Sequence, residues 1–218
     1  MNLKNNLVKF KAVVIGDTDY KEYDKLITLL TKEKGKVQVY AFNVRRPNSK
    51  NIGKIRLFSF GTFELREDRE KYSLENVILN ESFDDLTADY DKICYASYFV
   101  ELVDYFTYEN IESENIYDLL YFTLKALDNN KIENKLVRRI FELKMIQYQG
   151  EYKDSEMLNV DNDTLKYTWD FVLNSRPNKL YSFKLNDEIF NLFDKEVRNE
   201  MISKVNYKFK TLKEIEKL

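Results

Sequence analysis

Histidine is absent from the 218 residues, and Cys94 is the single cysteine. An intramolecular disulfide is therefore excluded, as are the usual Cys/His zinc site and any Ser–His or Cys–His catalytic pair. Glycine occurs five times and proline twice. They form no Pro/Gly/Ser-rich linker, and no internal repeat is visible. No apolar run approaches the roughly 18 residues needed to span a bilayer, and no signal peptide is evident, so the expected location is the cytoplasm. What is abundant is apolar and charged surface. Hydrophobic residues make up 44% of the chain and aromatics 15%, enough for a substantial core and too much for wholesale disorder. The net charge of -2 hides an asymmetry. Residues 1–80 hold 16 basic and 10 acidic side chains, and the remainder 19 and 27. That division points to a polyanion-binding head and a body with another task.

The basic excess is densest in residues 32–56, KEKGKVQVYAFNVRRPNSKNIGKIR, where Glu33 is the only acid. Val37–Val44 reads as a strand between two turns, Lys34-Gly35-Lys36 and Arg46-Pro47-Asn48-Ser49. Strand side chains alternate, so Tyr40 and Phe42 share one face while Val37, Val39 and Ala41 share the other. One of these faces is core. If it is the aliphatic one, cations track phosphates and the aromatic rings accept stacked bases, the arrangement that holds a single nucleic-acid strand. Lys34, Lys36, Arg46, Lys50, Lys54 and Arg56 are the candidate phosphate contacts, with Lys9 and Lys11 extending the path.

Period-two segments fill the first 80 residues. Leu7–Ile15, Val37–Val44, Gly53–Leu65 and Tyr72–Asn80 read as strands, with Gly61 at a bulge or bend. Tyr23–Thr31 is ambiguous between helix and strand, and its place before Lys34-Gly35-Lys36 favours the first arm of a hairpin. Glu67-Asp68-Arg69-Glu70 reads as a charged turn. Five strands predict a small closed barrel such as the OB-fold; an SH3-like barrel fits the count almost as well. Near Ser82 the period becomes helical. Leu86, Tyr90, Ile93, Ser97, Val100 and Asp104 mark one helix, Ile116–Leu127 a second, Leu136–Tyr148 a third ended by Gly150, Leu165–Leu173 a short fourth, and residues 186–209 one or two more. The expected class is α+β, with a five-stranded OB barrel over residues 1–81 and an all-helical body over 82–218.

Several motifs, taken in order, resemble the RecO family of bacterial recombination mediators. They are Asp19-Tyr20-Lys21-Glu22-Tyr23-Asp24 after the first strand, the turn Thr31–Lys36, Asn43-Val44-Arg45 with Ser49, Gly53 and Phe58, the helix Tyr98–Asp104 (YFVELVD), the helix Arg139-Ile140-Phe141-Glu142-Leu143, and Lys210-Thr211-Leu212. Two departures stand out. Asn43 replaces the family's glycine, and Asn tolerates positive φ better than most residues. Many members also carry a four-cysteine zinc loop after the Phe-Glu-Leu helix, whereas residues 150–166 contain no cysteine.

The resemblance implies DNA repair and recombination without catalysis or cofactor. The OB-fold would bind ssDNA and dsDNA and anneal complementary strands. The body would bind RecR and the C-terminal tail of single-stranded DNA-binding protein (SSB), helping to load RecA on coated DNA at the nucleoid. Arg45, which matches the family motif, becomes the first choice for DNA. Arg138, Arg139 and Phe141 match the region that receives the SSB tail, with Lys144 and Lys135 at its rim. An apolar pocket rimmed by Arg suits a peptide that ends in Phe and a carboxylate. The alternative is a helical protein–protein adaptor with the barrel as scaffold. An enzyme using clustered carboxylates and a metal finds no convincing ligand spacing: in the acidic segment after the first strand, Glu22 and Thr28 stand where a calcium loop needs Gly and Glu.

Overall fold

The computed structural model describes residues 6–69, 71–150, 152–158 and 160–218. Alternation builds the barrel wall. Strand β1 (Asn6–Asp19) turns Phe10, Ala12 and Val14 into the core and Lys9 and Lys11 outward. Its length lets it serve two partners. The first part pairs antiparallel with β4 (Phe60–Asp68), and the second with β2 (Lys25–Thr31), across a register slip between Val14 and Gly16. β2 pairs with β3 (Gly35–Ala41) and β4 with β5 (Lys71–Glu81). A short parallel seam, Val39 with Tyr72 and Tyr40 with Ser73, closes the barrel in the order β1-β2-β3-β5-β4. This is the five-stranded OB arrangement, followed by helices, and the protein is α+β.

The ambiguous Tyr23–Thr31 run is a strand because Ile27 and Leu29 alternate into the core, where each side chain contributes about 1.5–3 kcal/mol. The strand expected over Gly53–Leu65 is a correction: it starts only at Phe60. Ile52–Lys54 forms a 3-10 turn, and Ile55 and Phe58 are buried without alternating, Phe58 at φ +68°. Ile55 packs into the barrel core, while Phe58 is buried outside that cluster, so neither extends the wall. The charged turn is also shorter than expected. β4 runs through Asp68, Arg69 turns at φ +48°, and Glu70 lies outside the described residues. The bulge expected at Gly61 is present as a register shift beside Phe60.

The β2–β3 turn depends on Thr31 and Gly35. Thr31 Oγ1 accepts from the Lys34 N–H and donates to the Gly35 carbonyl, both at 3.0 Å. Residues 107–113 then dock on this turn. The Lys36 N–H donates to Tyr108 O (3.1 Å), Asn110 N–H to Lys34 O (2.9 Å) and Ser113 N–H to Lys32 O (3.0 Å). Gly35 has φ +64°, and a Cβ there would overlap the carbonyl oxygens of Tyr108 and Ile111. Turn conformation and close docking both require glycine.

The chain forms two compact units. One joins the barrel, through Asp84, to the later segment Thr107–Tyr117; the other holds Asp85–Phe106 and Asp118–Leu218. A single cut near residue 81 leaves that inserted segment with the helices. The helices are α1 (Asp84–Ala88), α2 (Tyr90–Phe106), α3 (Glu114–Asp128), α4 (Asn134–Tyr148), α5 (Asp163–Asn174), α6 (Asp187–Lys204) and α7 (Leu212–Ile215), and the first turn of α3 belongs to the first unit. The first expected helix is split because the Asp89 carboxylate accepts the Lys92 N–H (3.1 Å) and so opens α2. Asn162 and Asn186 cap α5 and α6 in the same way, at 2.9 Å each. Fully buried Phe99, Phe141, Trp169 and Phe193 anchor the core.

The loop without cysteines is held by polar contacts. Trp169 Nε1 donates to Lys153 O (2.8 Å), Ser155 Oγ to Asp170 (2.9 Å), and Lys153 pairs with buried Glu200 (2.7 Å). Residues 151 and 159 of the acidic 151–163 segment lie outside the described residues. Among the described residues no cluster of three His, Cys, Asp or Glu side chains is placed to hold a metal, and no helix is long and apolar enough to cross a membrane.

Candidate nucleic-acid interface

The burial pattern of β3 answers which face is core. Val37, Val39 and Ala41 enter the barrel, and Lys36, Gln38, Tyr40 and Phe42 form an outward row. Phe42, just past the strand, is 55% exposed. The Tyr40 and Phe42 rings are nearly parallel, 8° apart with centroids at 6.0 Å, and Tyr20 meets Tyr40 edge-on at 5.4 Å. Cations flank the rings. Arg46 lies over Tyr23 with its guanidinium 5.0 Å from the centroid, and Lys21 lies 5.2 Å over Tyr20. Arg45 pairs with Asp19 at 3.0 Å. Both partners are exposed, and such a pair is worth about 0–1 kcal/mol, so a phosphate can displace the carboxylate. Asn43 takes φ +54° just before this arginine pair, and its N–H donates to Asp24 Oδ1 (2.7 Å). Asparagine thus supplies the turn expected of a glycine.

At the other end of the row is a groove of about 360 Å³, lined by Lys34, Lys36, Gln38, Tyr40, Lys71 and Tyr72 with Glu67, Glu109 and Asn110. Within it Lys34 is already engaged. Its Nζ donates to Tyr72 Oη (2.8 Å), Tyr72 donates to Glu67 Oε1 (2.8 Å), and Lys34 stands 3.6 Å from Glu67. The Tyr72 hydrogen bond, aided by Glu67, raises the Lys34 pKa. Lys34 is charged, and its ammonium is engaged with Tyr72 and Glu67 of β5 and β4.

The basic stretch divides into two groups. Lys34, Lys36, Arg45 and Arg46 sit with the β3 row and the β1–β2 loop. Lys50, Lys54 and Arg56 sit on the connection to β4, which is held against β5: Lys54 Nζ donates to Val77 O (2.9 Å) and Asn51 Nδ2 to Glu75 O (3.4 Å). Lys54 donates one hydrogen bond to a carbonyl and keeps its charge and its other two donors. Lys50 and Arg56 are exposed. Tyr20, Tyr23, Gln38 and Lys71 belong to the surface and were not expected there. Tyr20 and Tyr23 lie in a segment that reads locally only as an acidic turn.

In the helical unit, three motifs far apart in sequence converge. Glu142 Oε1 accepts from Tyr98 Oη (2.7 Å) and Arg138 Nε (2.8 Å), and Oε2 accepts from Arg139 Nη1 (2.6 Å); Arg139 Nε also reaches Asp194 (2.6 Å). Burial opposes ionisation of Glu142, but the Arg139 and Arg138 charges outweigh it and hold the carboxyl below its usual range. Glu101, in the helix carrying Tyr98, accepts three hydrogen bonds from Lys210 and Thr211 at 2.6–3.0 Å and ties down the C-terminal segment. Between these elements lies a cleft of about 300 Å³. Met201, Ile202, Val205, Tyr207, Phe209 and Leu212 supply apolar lining, and Arg138, Arg139 and Arg198 the cations.

Two expected residues are absent from this cleft. Phe141 is fully buried against Phe99, with centroids at 4.5 Å. Lys144 is buried, and its Nζ donates to the carbonyls of Val172 (3.1 Å) and Leu173 (2.6 Å) near the α5 C-terminus. Both lie on the inward side of α4, where a core ring and a satisfied ammonium are the only stable occupants. Their places are taken by Tyr207, Phe209 and Arg198, which the helical period could not bring to α4.

The fold and these surfaces define a protein with a cation-and-aromatic OB barrel and a helical unit bearing an arginine-lined cleft. The family models for Recombination protein O match in both parts, the N-terminal one over residues 3–83 and the C-terminal one over 87–156. The chain belongs to the RecO family. It is 34% identical over 144 residues to the DNA repair protein RecO of Caldicellulosiruptor bescii, covering 66% of this chain and 59% of the relative. It is 30% identical over 148 residues to that of Desulforamulus reducens (68% and 57%), and 32% identical over 151 residues to that of Clostridium novyi (69% and 59%). The matches thus span under two thirds of these relatives' length.

Proposed function

We propose that this protein works in DNA repair as a non-enzymatic recombination mediator of the cytoplasm and nucleoid. Its barrel binds ssDNA and dsDNA through Lys36, Arg45, Arg46, Lys50 and Arg56, with Tyr40 and Phe42 facing the bases. The observation that carries the reading is the outward β3 row, where cations, half-buried Tyr40 and exposed Phe42 share one face of an OB barrel in a chain of this family. Two DNA strands repel through their phosphates. A basic face that neutralises both lets complementary bases meet, which is annealing. The helical unit binds partners. The cleft beside Arg138 and Arg139 takes the acidic-apolar tail of SSB, and another face takes RecR, so that RecA is loaded on SSB-coated strands.

The test is annealing of complementary oligonucleotides, bare and SSB-coated, across a salt series. About four phosphate contacts give a log–log slope of binding near -3 on single strands. A slope near zero refutes the basic surface. Annealing of bare strands alone refutes the cleft's role. Tight partner binding by a protein without DNA affinity would select the adaptor reading.

A further inference from the structure

The arginines that line the apolar cleft also border a second pocket of about 300 Å³, formed by α2, α4, α6 and the end of α7. Arg138, Arg139 and Arg198 are common to both spaces, whereas Tyr95, Lys135 and Asn191 line this pocket and not the cleft. Lys135, expected at the rim of the peptide cleft, belongs here instead. The guanidinium groups are held in place before any ligand arrives. Glu142 fixes Arg138 and Arg139, and Asp194 fixes Arg139 (2.6 Å) and Arg198 (2.8 Å). A guanidinium offers five N–H donors. Arg138 commits only its Nε, so its terminal nitrogens have no acceptor among the described residues. The exposed Lys135 ammonium has none either. Tyr95 is 3% exposed, yet its hydroxyl has no hydrogen-bond partner among the described residues. Burial pushes its pKa up, so the hydroxyl stays protonated and able to donate. A buried hydroxyl costs free energy until something accepts from it.

We propose that this pocket binds a phosphate group, with Tyr95, Lys135, Arg138 and Arg198 as its donors. These donors converge from α2, α4 and α6, which suits the several acceptor oxygens of a tetrahedral phosphate better than the two of a carboxylate. Of the two acids at the pocket, Asp194 is already neutralised by two arginines. Glu216 has no partner among the described residues and opposes the anion. A phosphate here requires neither DNA on the barrel nor a peptide in the cleft. Its source is either the free ion or the terminal phosphate of a nucleotide, which share this chemistry.

The test titrates inorganic phosphate, thymidine 5′-monophosphate and thymidine into the full chain by isothermal titration calorimetry, with chloride holding the ionic strength constant. Both phosphates should saturate a single site, and thymidine should not bind. Tyr95→Phe and Lys135→Gln should each weaken phosphate about tenfold. Glu216→Gln should tighten it by up to about fivefold. Tyr95→Phe removes only an unpartnered hydroxyl and Lys135 is exposed, so the fold survives both changes, as thermal midpoints verify. Equal affinity for the two phosphates supports the free ion as the source, and tighter monophosphate supports a nucleotide terminus. Absence of saturable phosphate binding overturns the site. So does binding that Tyr95→Phe and Lys135→Gln leave unchanged, which would place the anion elsewhere. Thymidine binding as tightly as its monophosphate would overturn phosphate as the group recognised.

Discussion

Replacing Glu142 with Gln should destabilise the helical unit by about 3–5 kcal/mol, the usual cost of removing one partner from a buried ion pair. The side chain is fully buried and accepts from Tyr98, Arg138 and Arg139. Glutamine has nearly the same volume, so no cavity forms and the change isolates the charge. Arg139, itself buried, is left with Asp194 alone. The assay is urea unfolding followed by the fluorescence of Trp169, the single tryptophan, which is fully buried in the same unit. The pH dependence carries a sign. Glu142 has a folded pKa below its unfolded one, so its contribution is complete above the ordinary carboxylate value near 4.3 and is lost as pH falls through the folded value. The gap between wild type and variant should therefore be wide at pH 7 and shrink progressively as pH falls below the ordinary carboxylate value. A gap under about 1 kcal/mol at pH 7 would refute the view that these arginines are held by Glu142.

Gly35→Ala should cost at least about 2 kcal/mol, because positive φ alone costs roughly 1–2 and the new Cβ overlaps two carbonyl oxygens; thermal unfolding of the barrel unit checks it, and an unchanged midpoint would sink the docking argument. Lys144→Met should cost about 1–3 kcal/mol in urea by removing the ammonium from the Val172 carbonyl, Leu173 O keeping its bond from Gln147 Nε2, while leaving SSB-tail affinity unchanged. Arg198→Ala, by contrast, should weaken binding of an acidic peptide ending in Phe by roughly tenfold in anisotropy, since Arg198 is the most exposed cation of the cleft. Arg45→Ala with Arg46→Ala should lower the magnitude of the salt slope by about 1–2 and leave stability within about 0.5 kcal/mol.

The strands and helices were legible wherever apolar period and local chemistry agreed. The β3 alternation announced two faces without saying which was core, Gly35 announced a turn, and Asn43 a positive φ. The Gly53–Leu65 stretch misled because its first half buries Ile55 and Phe58 without alternating, and only Phe60 onward joins the wall. Phe141 and Lys144 misled because motif resemblance marks a helix but not which side of it faces the core. Arg198, Tyr207 and Phe209 carried no signal, since they reach the cleft only through the contact of α4 with α6 and the Glu101 clamp on Lys210 and Thr211.

Composition and periodicity by themselves determined a basic β head, a helical body and the absence of histidine chemistry or an intramolecular disulfide, because those follow from residue identity and from neighbours a few positions away. Only the tertiary structure decided that the Tyr40 and Phe42 rings face outward, that Lys34 and Lys54 are hydrogen-bonded within the fold, and that residues 107–113 close the β2–β3 turn. Each depends on groups brought together from distant parts of the chain, where the partner that satisfies a charge or covers a ring is set by packing and cannot be read from local spacing.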